Sequence, residues 1–201
     1  MFKYNSQRDN FNFNGQFMGW SQCFSTCAWM FISYYIDAID GADDQGLKIY
    51  VDEVEQKVGS RGLGESIAST YNIKGHSSLY WVVQKAGIEK YFQDYGCNVA
   101  LKYIENGRTV NDLIGVLKKG NIAILGTNKI GGLESGHIVL VTNYFEHSNG
   151  SHFEVYDPFG NATTNYQDHD GEAVLYPYEY LIEHAQMCNY LLKGKVRFLS
   201  L

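Results

Sequence analysis

Cys23 stands at the start of an apolar segment, residues 23–32, whose composition predicts a buried helix. A thiol in the first turn of a helix faces backbone N–H groups without helical partners and the positive end of the helix dipole, and both favour a thiolate. Farther along the chain, Gly136-His137 begins one apolar segment and Asp157-Pro158 ends another. Cys, His and Asp in this order can supply a nucleophile, a general base and a carboxylate that orients the base, which is the chemistry of a thiol hydrolase.

The cysteines and histidines also allow other interpretations. Cys27 lies one helical turn after Cys23 and on the same face, so we expect it to pack in the core; it is the alternative nucleophile if the helix starts later. Cys23 and Cys27 could also chelate zinc together with a histidine. No second pair of ligands follows at metal-binding spacing, so we expect neither a metal nor another cofactor. His147, His152 and His169 lie in polar, turn-like segments typical of a solvated surface.

An amide hydrolase also needs a second oxyanion donor besides the backbone N–H of Cys23. Gln7, Gln16 and Gln22 are the candidates, because a glutamine on a segment that enters the cleft can direct its NH₂ group at the oxyanion. Loss of one such donor costs about 3 kcal/mol of transition-state stabilisation. The spacing alone does not choose among the three.

Helical patterns precede strand patterns, which predicts an α+β fold with a helical half packed against a mostly antiparallel sheet half. Cys23 would then lie on one wall of the cleft between the halves and His137 on the other. No repeat or linker interrupts the chain, so we expect a single domain over residues 1–201. The predicted helices cover residues 23–40, 46–58, 78–95 and 179–190, and a further predicted helix is capped by Thr109 or Asn111 and runs to Lys119. Residues 59–76 are a predicted loop. The predicted strands cover 122–126, 138–145, 153–156 and 196–201, with a hairpin turn at 148–150.

The amino-acid composition limits the classes of partner that we expect. A formal charge of −6 disfavours nucleic acid and simple electrostatic attraction to anionic membranes or cell walls. Sixteen Tyr, eleven Phe and three Trp fit an aromatic core or, alternatively, an aromatic cleft for an extended polymer. We expect no membrane span, no disulfide framework and no cleaved signal peptide. Synthesis in the cytoplasm is therefore expected, with release to the cell wall or association with a virion as alternatives.

These residues resemble the papain-like cysteine peptidases, and within them the branch related to bacteriocin-processing (double-glycine) peptidases, which has stand-alone bacterial and bacteriophage members. The similar segments are Ser6-Gln7-Arg8-Asp9-Asn10, then Cys23, Thr26 and Met30, then Gly136-His137, and then Asp157-Pro158-Phe159-Gly160-Asn161 with a later Tyr166. The resemblance implies a papain-like fold. It also implies Cys23 as nucleophile, His137 as base, Asp157 as the residue that orients the base, and Gln7 as oxyanion donor.

The expected function is hydrolysis of a peptide bond through a thioester on Cys23. The substrate is a peptide or protein, or alternatively a peptidoglycan stem peptide cleaved during phage lysis or entry. Two other classes stay open: a catalytically inactive papain-like scaffold that binds a partner, and an acyl or amine transferase that uses the same thioester.

Overall fold

A computed structural model of the chain describes residues 4–9, 23–35, 109–185 and 196–201. Between 81 and 104 it describes positions 81, 85–86, 88–90, 92–93, 96–97 and 99–104. The α-helices with defined bounds are α1 (Cys23–Tyr35), α2 (Val110–Leu117) and α3 (Tyr178–His184). Short 3-10 helices cover Gln7–Asp9, Ile130–Gly132 and Ala162–Thr164.

Six strands in the described part of the chain form one antiparallel sheet, in the spatial order β1-β6-β2-β3-β4-β5. They are β1 (Lys102–Ile104), β2 (Ala123–Asn128), β3 (Gly136–Phe145), β4 (His152–Tyr156), β5 (Val174–Pro177) and β6 (Phe198–Ser200). The central strands β2 and β3 pair in continuous register from Ala123 opposite Val141 to Asn128 opposite Gly136.

The sheet buries side chains on both faces, and β3 shows why its sequence is apolar without alternation. Ile138 and Leu140 pack in the cluster that contains α1, whereas Val139 and Val141 pack in the cluster that contains α2 and α3. Because successive side chains of a strand point to opposite faces, each layer of helices receives every second residue.

Helix α1 is buried on nearly all sides, as its composition predicts. It packs on β3 and β2. It also contacts Trp81, whose ring meets the Phe24 ring edge-to-face with 4.6 Å between the ring centroids. This packing fixes the start of α1, and therefore Cys23, relative to the first residues of β3.

Strands β3 and β4 form a hairpin that contains one bulge. Leu140 pairs with Tyr156, but the register shifts by one residue between Val141 and Asn143, and Phe145 then pairs with His152. The antiparallel pairing brings the start of β3 next to the end of β4, which is where His137 and Asp157 lie.

The α+β class and the mostly antiparallel sheet are confirmed. The helix starting at Cys23 is present, and Thr109 caps α2. The structure adds β1 and β5, two strands of three and four residues that the sequence analysis did not predict. Both are too short to show a periodic pattern. The predicted helix 46–58 and loop 59–76, and the ends of the predicted helices 23–40 and 179–190, lie outside the described residues.

Candidate active site

His137 and Asp157 form a buried pair at one end of the β3–β4 hairpin. His137 is the second residue of β3, and Asp157 directly follows β4. Their side chains are only 4% and 0% exposed, and Nε2 of His137 lies 2.8 Å from Oδ1 of Asp157. With the pairing register of the hairpin, this geometry assigns Nε2 to the carboxylate and leaves Nδ1 as the ring nitrogen for another partner.

Cys23 lies beside the imidazole. It is the first residue of α1, it is half-buried, and its thiol acts on the pKa of His137. The sequence placed these residues on two walls of a cleft, and the structure brings the thiol and the imidazole together. Cys23 therefore combines a helix N-terminus, an imidazole neighbour and partial exposure, which are the conditions for a reactive thiol.

The charges around His137 favour its protonated form. Burial by itself lowers the pKa of His137. The charge and hydrogen bond of Asp157 and the hydrogen bond and charge of Cys23 outweigh burial, and they raise the pKa from its ordinary 6.5 to about 10. At neutral pH the ring is thus an imidazolium held between the carboxylate and the sulfur.

Cys27 occupies a different environment from Cys23, although only one helical turn separates them. It is fully buried, and its Sγ donates a hydrogen bond to the carbonyl of Ile138 at 3.4 Å. Burial, followed by the charges of Cys23 and Asp157, raises the pKa of this thiol well above its ordinary value. Cys27 is consequently a protonated, inaccessible thiol that packs in the core.

Gln7 belongs to a segment, residues 4–9, that lies against the turn containing Asp157. The backbone N–H of Gln7 donates to the Pro158 carbonyl at 2.8 Å, and the Tyr4 hydroxyl donates to the Asp157 carbonyl at 2.9 Å. Nε of Arg8 donates to the Phe159 carbonyl at 2.7 Å, and the Arg8 guanidinium lies 3.8 Å above the Phe159 ring. Gln7 as a residue is buried. Gln16 and Gln22, the other two candidates, lie outside the described residues.

Comparison with known proteins identifies the family. The sequence model of a family described as Peptidase_C39 like matches residues 1–184, which is most of the chain. The chain belongs to the Peptidase_C39 like family. Its structure is similar to a crystal structure from Bacillus anthracis described as that of a C39-like peptidase, with a TM-score of 0.54 and 13% sequence identity. That match covers 99% of this chain and 93% of the other, and it shows the papain-like fold. No curated protein sequence matched significantly.

Three further histidines that the structure describes lie away from the Asp157 end of the β3–β4 hairpin or on its surface. His147 and His152 are at the far end of the β3–β4 hairpin, and His169 is exposed in the loop after Asp157. In the described residues, no group of three or more His, Cys, Asp or Glu side chains is arranged to hold a metal ion. None of the described helices is long and apolar enough to cross a membrane.

Two buried tyrosines complete the surroundings of Asp157 in this family member. Tyr176 and Tyr166 both donate hydrogen bonds from their hydroxyl groups to Oδ2 of Asp157. The sequence indicated Tyr166 only through the family resemblance, and it did not indicate Tyr176. No local signal marks Tyr176, because it belongs to the short strand β5 and reaches Asp157 only through the pairing of β4 with β5.

Proposed function

We propose that this chain is a cysteine peptidase that hydrolyses amide bonds through a thioester on Cys23. The observations that support this proposal are the buried hydrogen bond of His137 to the Asp157 carboxylate and the neighbouring Cys23 thiol, which helps to raise the pKa of His137. A half-buried thiol beside an imidazolium at a helix start matches the needs of nucleophilic catalysis. Membership of a peptidase family agrees with this chemistry.

The proposed reaction has two halves. The Cys23 thiolate attacks the carbonyl carbon, and the backbone N–H of Cys23 and the side chain of Gln7 stabilise the oxyanion. His137 transfers its proton to the leaving amine as the C–N bond breaks, which leaves a thioester and a neutral imidazole. The imidazole then takes a proton from water, the resulting hydroxide attacks the thioester, and release of the acid restores the thiolate–imidazolium pair. Asp157 keeps Nε2 of His137 occupied throughout, so that Nδ1 faces the sulfur.

Substitution of the nucleophile tests the proposal. We expect Cys23→Ala and Cys23→Ser to lower kcat/KM on a cleavable peptide by at least about a thousandfold, because each variant removes the attacking sulfur. Cys97→Ala is the matched control, since Cys97 is also a half-buried cysteine outside any disulfide and should be dispensable for the chemistry. Full activity of Cys23→Ala, or loss of activity in a folded Cys97→Ala protein, would contradict the assignment.

Within this proposal, the substrate is a peptide segment of a protein, and a peptidoglycan stem peptide is the alternative. The formal charge of −6 disfavours binding to an anionic cell wall. A gel containing purified cell walls separates the two, because a clear lytic band that disappears in Cys23→Ala would favour the stem peptide and a phage lysis or entry role.

Alkylation of Cys23 separates an active enzyme from an inactive binding scaffold. We expect iodoacetamide to label Cys23 rapidly at about pH 5–6, where an ordinary thiol is protonated and slow. Mass spectrometry of the digested protein separates the label on Cys23 from the label on the other cysteines, Cys188 included. Labelling of Cys23 that is as slow as labelling of Cys97 at this pH would favour the scaffold.

A further inference from the structure

The carboxylate of Asp157 is saturated with hydrogen-bond donors that come from three parts of the chain. Oδ1 accepts from Nε2 of His137 at 2.8 Å and from the backbone N–H of Phe159 at 2.9 Å. Oδ2 accepts from the Tyr176 hydroxyl at 2.9 Å and from the Tyr166 hydroxyl at 3.2 Å. The two oxygens therefore have separate partners: one faces the imidazole and a main-chain N–H, and the other faces two phenols.

Both phenols keep the protons that they donate. Burial, followed by the negative charge of Asp157, raises the pKa of Tyr166 and of Tyr176 far above the ordinary value. Tyr176 also accepts a hydrogen bond from the Ala162 N–H at 2.9 Å, which orients its hydroxyl proton toward the carboxylate. Both hydroxyls are therefore protonated at neutral pH, as donors to the carboxylate must be.

The backbone at Tyr166 has a strained conformation. Asn165 and Tyr166 have φ values of 53° and 59°, in the left-handed region that is unfavourable for a bulky side chain. The Tyr166 ring lies edge-on to His137 at 6.0 Å, in a space that exists because residue 131 is glycine. A Cβ at position 131 would approach Cδ2 of Tyr166 to 2.8 Å. Strained residues at such a place point to a role for the side chain that they position.

We propose that Tyr166 and Tyr176 are positioning residues, whose hydroxyls hold the Asp157 carboxylate so that Oδ1 stays on Nε2 of His137. A carboxylate with donors on only one oxygen can rotate about its last side-chain bond, and the imidazole would then lose its fixed orientation. Donors on Oδ2 remove this freedom, so that Nδ1 remains directed at Cys23. The inference rests on the proposed cysteine peptidase function, and it adds the two residues that hold Asp157 in place.

Removal of the hydroxyl groups tests the inference, with Tyr166→Phe, Tyr176→Phe and the double variant. We expect each single variant to lower kcat on a cleavable peptide about fivefold and the double variant to lower it about 30-fold or more, with little change in KM. Tyr180→Phe is the matched control. The Tyr180 hydroxyl is in the same cluster, but it bonds to the Gly131 N–H at 3.1 Å and the Ala162 carbonyl at 2.9 Å instead of to Asp157. We expect its kcat to stay within about twofold of the native value.

A second measurement needs no substrate. We expect the rate of Cys23 alkylation by iodoacetamide to fall in the double variant at about pH 5–6 and to recover at higher pH, because a loosely held Asp157 stabilises the imidazolium less. Tyr180→Phe should keep the native pH profile, and a purely structural role of the tyrosines would leave this profile unmoved in all variants.

The outcomes separate the inference from the function on which it rests. A folded double variant with native kcat and native alkylation profile, or a Tyr180→Phe protein with the same loss as the double variant, would overturn the positioning role. If Cys23→Ala is inactive in the same assay, the peptidase proposal survives that result. If Cys23→Ala keeps full activity, the peptidase proposal itself fails.

Discussion

At the scale of single residues, the buried contact of His137 with Asp157 couples the stability of the fold to its charge state. A buried charge is costly unless a partner of opposite sign compensates it, and removal of one partner of such a pair typically costs about 3–5 kcal/mol. Here the pair is almost fully inaccessible to solvent, and Asp157 has three further donors. The residues assigned to the chemistry are thus also residues that hold the sheet end together.

The raised pKa of His137 predicts how stability depends on pH. The pKa of His137 is about 10 in the folded protein and near 6.5 in the unfolded chain, so the folded protein binds this proton more tightly. Its contribution is therefore fully present below about pH 6.5, and it is lost as the pH rises through about 10. Urea unfolding at a series of pH values should show this decline in the native protein.

Asp157→Asn is the comparison for that measurement, because it keeps the shape of the side chain and removes the charge that retains the proton. We expect this variant to be less stable below about pH 6.5 and to lose little more stability toward alkaline pH. An equally steep alkaline decline in both proteins would show that other groups, such as lysines, cause it.

At the scale of secondary-structure elements, α2 owes its start to side chains rather than to packing alone. The Thr109 hydroxyl accepts a hydrogen bond from the Asp112 N–H at 3.2 Å, and the Asp112 carboxylate accepts one from the Thr109 N–H at 2.6 Å. This reciprocal arrangement is a capping box, and it satisfies two backbone donors at the helix start. The helix covers part of the sheet face that carries Val139, the residue between Ile138 and Leu140.

We expect Thr109→Ala to lower the free energy of unfolding by about 1 kcal/mol, because it leaves the first turn of α2 without its cap. Urea denaturation measures the change. Asn111→Ala is the matched control: Asn111 is exposed in the same turn and was the other cap candidate in the sequence. A similar loss in both variants would mean that composition of the turn, rather than the Thr109 cap, stabilises this helix.

The helix and the strands that carry the proposed site residues could be predicted from the sequence, because these residues stand at or near element boundaries. Cys23 begins a helix and Asp157 follows a strand, and such boundaries have recognisable apolar flanks and turn residues. The contact of His137 with Asp157 could not be derived, because it depends on the register of a hairpin with a bulge near Thr142. Tyr176 was out of reach for a related reason, since it depends on the pairing of a strand that was not predicted.

At the scale of the whole molecule, the first described residues and the loop after β4 form one unit. Four donors of segment 4–9 bond to the main chain of residues 157–159: the Tyr4 hydroxyl, the Ser6 hydroxyl, the Gln7 N–H and the Arg8 guanidinium. In all four bonds the acceptor is a backbone carbonyl, which a side-chain substitution cannot remove. Substitutions can therefore weaken this attachment only at the side-chain donors. The proposed oxyanion donor, Gln7, is in this way tied to the turn that carries Asp157.

We expect Arg8→Ala to loosen this attachment, because it removes the hydrogen bond to Phe159 and the contact of the cation with the ring. Exchange of the Gln7 amide hydrogen should become about fivefold faster, which corresponds to about 1 kcal/mol of local stability, and peptidase activity should fall with it. Hydrogen exchange with mass-spectrometric or NMR readout measures the change.

Lys119→Ala serves as the control for loss of one positive charge, since Lys119 is exposed in the turn after α2. It should change neither the exchange of the Gln7 amide nor the activity. Unchanged exchange in Arg8→Ala would show that the other three donors suffice to hold the segment.

The turn between β3 and β4 offers a place for a label. Phe145 lies eight residue steps along the strand from His137, or about 27 Å at the usual rise of a strand. Residues 146–150 are exposed, and they lie beyond the paired part of the hairpin. A fluorophore or an affinity handle grafted at Asn149 would consequently report on the protein from a distance, and surface immobilisation through it would leave the end that carries His137 and Asp157 open to solution.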